Sequence, residues 1–152
     1  MAEIGFYHLT RTTAEQALPP LLARTLAAGE RAVVCVASAE RLAALDAALW
    51  LVAEPDWLPH GTPRTGDADL QPIWLTTDDP GPAGAPNGAR FLFLLDGAVT
   101  ARLDAFSRVF DLFDGADDAA VVAARGRWTA AKEAGHALAY WQQAPRGWER
   151  KA

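Results

Sequence analysis

The chain has 152 residues, 51% of them hydrophobic and 22% charged, a balance ordinary for one globular domain with a substantial core. Its formal net charge of -5 argues against a general nucleic-acid binder, because phosphate binding needs clustered lysine and arginine. A single cysteine, Cys35, excludes an internal disulfide framework and a cysteine-based zinc site, and no apolar run is long enough to span a membrane.

The opening MAEIGFYHLT lacks the charged-then-apolar order of a secretory signal, so the cytoplasm is the expected compartment. EIGFYHL (3–9) alternates and carries aromatics, which predicts a first strand. Thr12 and Thr13, followed by Glu15 and Gln16, supply the chemistry of a capping box for a helix running towards Gly29. Pro19-Pro20 lack N–H groups and block the preceding turn. They predict a broken first turn or a helix that begins near Pro19.

RAVVCVA (31–37) is short, apolar and β-branched, as in a strand buried on both faces. Ser38 can cap the next helix, AERLAALDAALW, which places Leu42, Leu45, Leu49 and Trp50 at helical spacing. Residues 53–69 read as loop, with Trp57-Leu58 among prolines and glycines. LQPIWLT (70–76) predicts a strand in which Pro72 favours an edge or the first residues. DDPGPAGAPNGA (78–89) is an exposed turn or loop, and FLFLL (91–95) another apolar strand. A short helix over 99–107 is expected before the strand RVFDLFD (108–114). The alanine-rich run from Ala116 to Trp141 predicts one long last helix. Strands alternating with helices imply an α/β domain, a mostly parallel sheet flanked by helices, over 1–142, with a polar tail at 143–152.

Such an order invites a nucleotide-binding reading, but TRTTAEQ after the first strand holds no glycine for close approach to phosphates. The glycines at 81, 84 and 88 precede a strand instead of a helix. His8, His60 and His136 stand far apart, and none pairs with another ligand at metal-binding spacing. Asp78-Asp79 and Asp117-Asp118 suit turns and caps. Cys35 lies mid-strand, where burial makes it inert packing, and no serine sits in a nucleophile elbow. No cofactor and no catalytic group are expected.

Charge is unevenly spread. Residues 120–152 balance to +4 and residues 1–119 to -9, so the end of the chain is a basic island on an acidic body. On the last helix Arg125, Trp128 and Lys132 follow i, i+3, i+7 and share one face. A second stripe, Ala123, Arg127, Ala130, Ala134 and Leu138, is small enough to pack on the sheet, although Arg127 interrupts it. With that stripe inward, Trp128 stands at the margin beside cations, a pocket for an apolar group carrying a carboxylate. The alternative is a core tryptophan among solvated charges. Of the other tryptophans, Trp50 and Trp74 read as core. Trp57, in EPDWLPHG, either folds back on the core or anchors an interface.

GFYHLT, LDAALWLVAEPDWLPHG and FSRVFDLFDGADDAAVVAARGRWTAAKEAGHALAYWQQ together resemble the chi subunit family of bacterial DNA polymerase III, part of the clamp-loader assembly. The resemblance implies a non-catalytic adaptor with a Rossmann-like fold that lacks nucleotide binding. It implies two partners: the acidic, phenylalanine-ended tail of single-stranded DNA-binding protein, and psi, which tethers chi to the clamp loader. Nucleic acid would then be met only indirectly, and no membrane at all. Carried over on the AG of KEAG, the tail site is Arg125, Trp128, Thr129 and Lys132. The family often has Tyr where Trp128 stands and Lys where Thr129 stands, and a further basic position falls on Val121. The psi surface maps to Trp57 with Leu58, Pro59 and His60. Two other readings remain on the residues: direct single-stranded DNA binding through tryptophans and the basic end, and a cryptic nucleotide-dependent enzyme.

Overall fold

The computed structural model describes residues 2–52, 58–79 and 84–152. Alternation in β1 (Glu3–Leu9) is followed by α1 (Ala14–Ala27), β2 (Ala32–Cys35) and α2 (Ala39–Trp50). A two-residue strand β3 (His60–Gly61) precedes β4 (Ile73–Thr76), β5 (Phe91–Leu95) and β6 (Arg108–Asp114). The chain ends with α3 (Asp118–Glu133), β7 (Ala137–Gln143) and β8 (Trp148–Arg150). All eight strands form one sheet in the order β3-β4-β2-β5-β6-β1-β7-β8. Every pairing is parallel except the last, between β7 and β8. The expected α/β architecture is therefore present.

Strand alternation divides the core into two layers. Tyr7, Leu9, Val34, Leu75, Phe93, Phe110 and Leu112 face α1 and α2. Phe6, Val33, Cys35, Leu92, Val109 and Phe113 face α3. Beyond α3 that second layer is closed by Ala89 and Phe106 with Leu103 and Ala98, loop residues in place of another helix. Cys35 is buried, and burial together with Asp79 and Asp78 pushes its thiol up to about 11. Packing is its role, as its strand position implies. Trp74 is likewise core.

Several expectations need correction. Helix α1 starts at Ala14 behind the Thr13–Gln16 capping box and runs unbroken through Pro19 and Pro20. Burial of Leu18, Leu21 and Leu22 outweighs the two absent N–H donors. The long helix from 116 to 141 ends at Glu133 instead. Gly135 takes φ +86, and its N–H donates to the Lys132 carbonyl while that of His136 donates to Ala131. This is a Schellman stop, which alanine content alone does not reveal. The chain then turns into β7, and the supposed polar tail folds back as β8 with Trp141 opposite Arg150. The helix expected over 99–107 is only a 3-10 turn, Leu103–Ala105. Trp50, expected in the core, is 59% exposed.

The connection from β1 to α1 shows why this sheet departs from a dinucleotide fold. The N–H groups of Thr10, Arg11 and Thr12 all donate to Gln143 Oε1, at 2.9, 2.9 and 3.1 Å. Those are the donors a phosphate would claim, and a side chain of β7 already occupies them. The neighbouring crevice at the strand ends carries Glu15, Asp96 and Asp114, and its Arg41 is paired to Glu15 and Asp96. Carboxylates at this position repel phosphate.

Candidate functional site

Helix α3 begins at Asp117, whose carboxylate accepts from the N–H groups of Ala119 and Ala120, satisfying donors at its positive end. The helix buries Ala124 and Ala131, not the stripe Ala123, Ala130 and Ala134, which is exposed. The inward face is turned by one ion pair. Arg127 reaches under the helix to Asp111 on β6, with Nε and Nη2 donating at 2.7 and 3.0 Å to the two carboxylate oxygens. The Asp111 side chain is 4% exposed and that of Arg127 19%. An arginine that seemed to spoil the packing stripe is thus turned inward and paired with a buried carboxylate.

With Arg127 inward, Arg125, Thr129 and Lys132 project to solvent. Trp128 lies between the two environments. It is half-buried, edge-on to Phe6 at 5.3 Å and to Tyr140 at 6.0 Å. One side of the ring thus packs on the core, and the rest lies on the face of α3 that carries Arg125 and Lys132. Thr129 turns its hydroxyl back to donate to the Arg125 carbonyl at 3.1 Å, so it offers no charge and little reach.

Three further side chains join this face that sequence reasoning did not find. Tyr140 and His8 share a hydrogen bond of 2.7 Å between the hydroxyl and Nδ1, and His8 stacks on Phe113 at 5.0 Å. Burial, helped by the Arg125 charge, lowers the His8 pKa, so its ring is neutral at neutral pH. Burial raises that of Tyr140 against the pull of Arg125. Arg125 therefore acts on an uncharged aromatic wall. The signal was available: Phe6 pairs with Tyr140 across β1 and β7, but only after 137–143 is read as a strand.

Gly115 fixes this wall. A Cβ there would stand 2.3 Å from His8 Nε2 and 2.5 Å from the Leu9 carbonyl oxygen, and the Gly115 N–H donates to that carbonyl. Gly115→Ala is expected to destabilise the chain by about 1–3 kcal/mol, because backbone atoms cannot yield as a flexible side chain can. Chemical denaturation measures this, and an unchanged midpoint would contradict the close approach.

The second predicted surface divides differently. Trp57 lies outside the described residues. Leu58 and His60 are buried and Pro59 is half-buried. The His60 ring is held at both nitrogens, 2.7 Å from the Leu58 carbonyl and 2.9 Å from Asp46 Oδ1, beneath the Trp50 ring at 4.5 Å. Leu58 and His60 thus serve as a foundation. The exposed apolar surface beside them is Trp50 with Leu51, 84% exposed.

Among the described residues no cluster of histidine, cysteine and acidic side chains could hold a metal ion, and no helix is long and apolar enough to cross a membrane. The family model described as DNA polymerase III chi subunit, HolC, matches residues 1–139. No curated protein matches the chain. The chain belongs to the DNA polymerase III chi subunit family.

Proposed function

We propose that this chi-family chain is a non-catalytic adaptor that binds the acidic tail of single-stranded DNA-binding protein on α3 and links it, through psi, to the clamp loader. One observation carries the reading: exposed Arg125 and Lys132 share a face of α3 with half-buried Trp128, on a chain that is otherwise acidic. The two cations suit the carboxylates of the tail, and the Trp128–Tyr140–His8 wall suits its terminal aromatic ring. Titration with a labelled acidic peptide ending in phenylalanine tests this. Saturable binding that weakens with salt is expected, because the cations are exposed and screened. Absence of saturable binding at low salt would end the proposal. The cytoplasm, where the replicase works, is the matching compartment.

The psi contact belongs to the same proposal, at Trp57, Leu58, Pro59 and His60, of which Leu58 and His60 are buried. A large aromatic between two prolines of the sequence fits an anchor of the kind that dominates interface energetics. Trp57→Ala is expected to weaken capture of a psi partner by about tenfold or more, with tail-peptide affinity unchanged. Equal capture by parent and variant would remove this surface.

A further inference from the structure

The sheet face opposite α3 is open towards its antiparallel edge. Ala137 and Arg150 are exposed there, and Gly5, Ala139, Trp141 and Trp148 are only half-buried. Alternation places β1, β6, β7 and β8 side chains together on this face. A depression of about 240 Å³ has a floor of Gly5, Ala137 and Ala139, with Arg108, Trp141 and Arg150 around it. Arg108 also borders a second depression of about 160 Å³, where Arg24 of α1 and Phe91 lie. Arg108 lines both depressions, which are taken together as one groove.

The groove alternates cations with rings. The Arg108 guanidinium lies 4.8 Å from the Phe110 ring centre and 5.5 Å from that of Phe91. That of Arg150 lies 5.9 Å from Trp141. The one lining carboxylate, Glu3, is exposed and 3.9 Å from Arg108, too loose to cancel it, and Arg150 Nε donates to the Ala152 oxygen at 2.9 Å.

We propose that this groove binds single-stranded nucleic acid directly. Its phosphates would meet Arg24, Arg108 and Arg150, and a base would stack on Trp141 beside the small residues Ala137 and Ala139. An acidic peptide without an aromatic residue could use the cations but has no ring to place on Trp141. The site is local, which reconciles it with an overall charge of -5. It lies on the opposite face of the sheet from α3, so strand and tail peptide need not compete. Trp141 and Arg150 also lie beyond residue 139, where the family match ends.

The test uses the full chain, a labelled oligothymidine and, in parallel, polyglutamate and the tail peptide. Saturable oligothymidine binding is expected with quenching of tryptophan fluorescence, falling about tenfold or more in Arg108→Ala/Arg150→Ala. The slope of log affinity against log salt should shrink by about 0.7 for each phosphate contact removed. Thermal unfolding checks that the variant folds, and tail-peptide binding should be unchanged. Binding of oligothymidine equal in parent and variant, no saturable binding at low salt, or loss of polyglutamate instead of oligothymidine binding would each overturn the proposal.

Discussion

Charge reversal at Arg125 or Lys132 should abolish binding of an acidic, phenylalanine-ended peptide and leave thermal unfolding nearly unchanged. Both side chains are exposed, and neither has an intramolecular carboxylate partner among the described ion pairs. Their removal therefore costs the fold little. To the peptide they matter more. A hydrogen bond to a charged group contributes about 1.5–3 kcal/mol, and a glutamate in its place adds repulsion. Together these predict a loss of about a hundredfold or more in affinity, read by fluorescence anisotropy at fixed salt. Thr129→Lys should act in the opposite sense. It replaces a hydroxyl folded back on the Arg125 carbonyl with a third cation on the same face. Tighter binding in that variant and lost binding in the reversals together locate the site. Unaltered affinity in the reversals would remove it. Trp128→Ala is a poorer probe, since the indole also packs on Phe6 and Tyr140, and its loss mixes stability with binding.

The pattern of what the sequence could reveal follows from the range of the forces involved. β1, α2, β5 and β6 are legible because each is set by local periodicity and, for α2, by the Ser38 cap accepting from the Arg41 N–H. The end of α3 is not. Ala134-Gly135-His136 sits in an alanine-rich run, and the positive φ of Gly135 becomes a stop only once its carbonyl partners are in place. Misplacing that stop hid β7, and with it Tyr140 and the route by which His8 joins the basic face. Trp50 failed for a related reason. Helical spacing predicts a buried stripe, but Leu49 in the same turn takes the inward position, leaving the Trp50 ring over His60. Arg127 is the instructive case: within its own helix it looks like an error, and only its distant partner Asp111 explains it.

Arg127→Ala is accordingly expected to be among the most destabilising substitutions on α3, and to be so in a pH-dependent way. It leaves Asp111, with 4% of its side chain exposed, without a cation. Breaking a buried pair in this manner costs about 3–5 kcal/mol, a large part of the stability of an ordinary domain. Burial pushes the Asp111 carboxyl up from its ordinary range, and Arg127 pulls it back by hydrogen bonding and charge. Without Arg127 both opposing causes vanish, and the carboxyl rises further. A carboxyl whose folded pKa exceeds its unfolded value holds a proton in the native state that the unfolded chain has released. Its stability contribution therefore falls as pH rises from about 4, the unfolded value, through the folded pKa. The deficit of Arg127→Ala relative to the parent should be larger at about pH 7 than at about pH 5, measured by urea unfolding at each pH. Adding Asp111→Asn to Arg127→Ala removes the titrating group and should abolish this pH dependence. A deficit that is the same at both pH values would show that packing alone, and not the buried carboxylate, holds α3 down. In that event the orientation of Arg125 and Trp128 would not depend on Arg127. With the expected result it does, and tail-peptide affinity in Arg127→Ala should decline together with stability as the pH is raised.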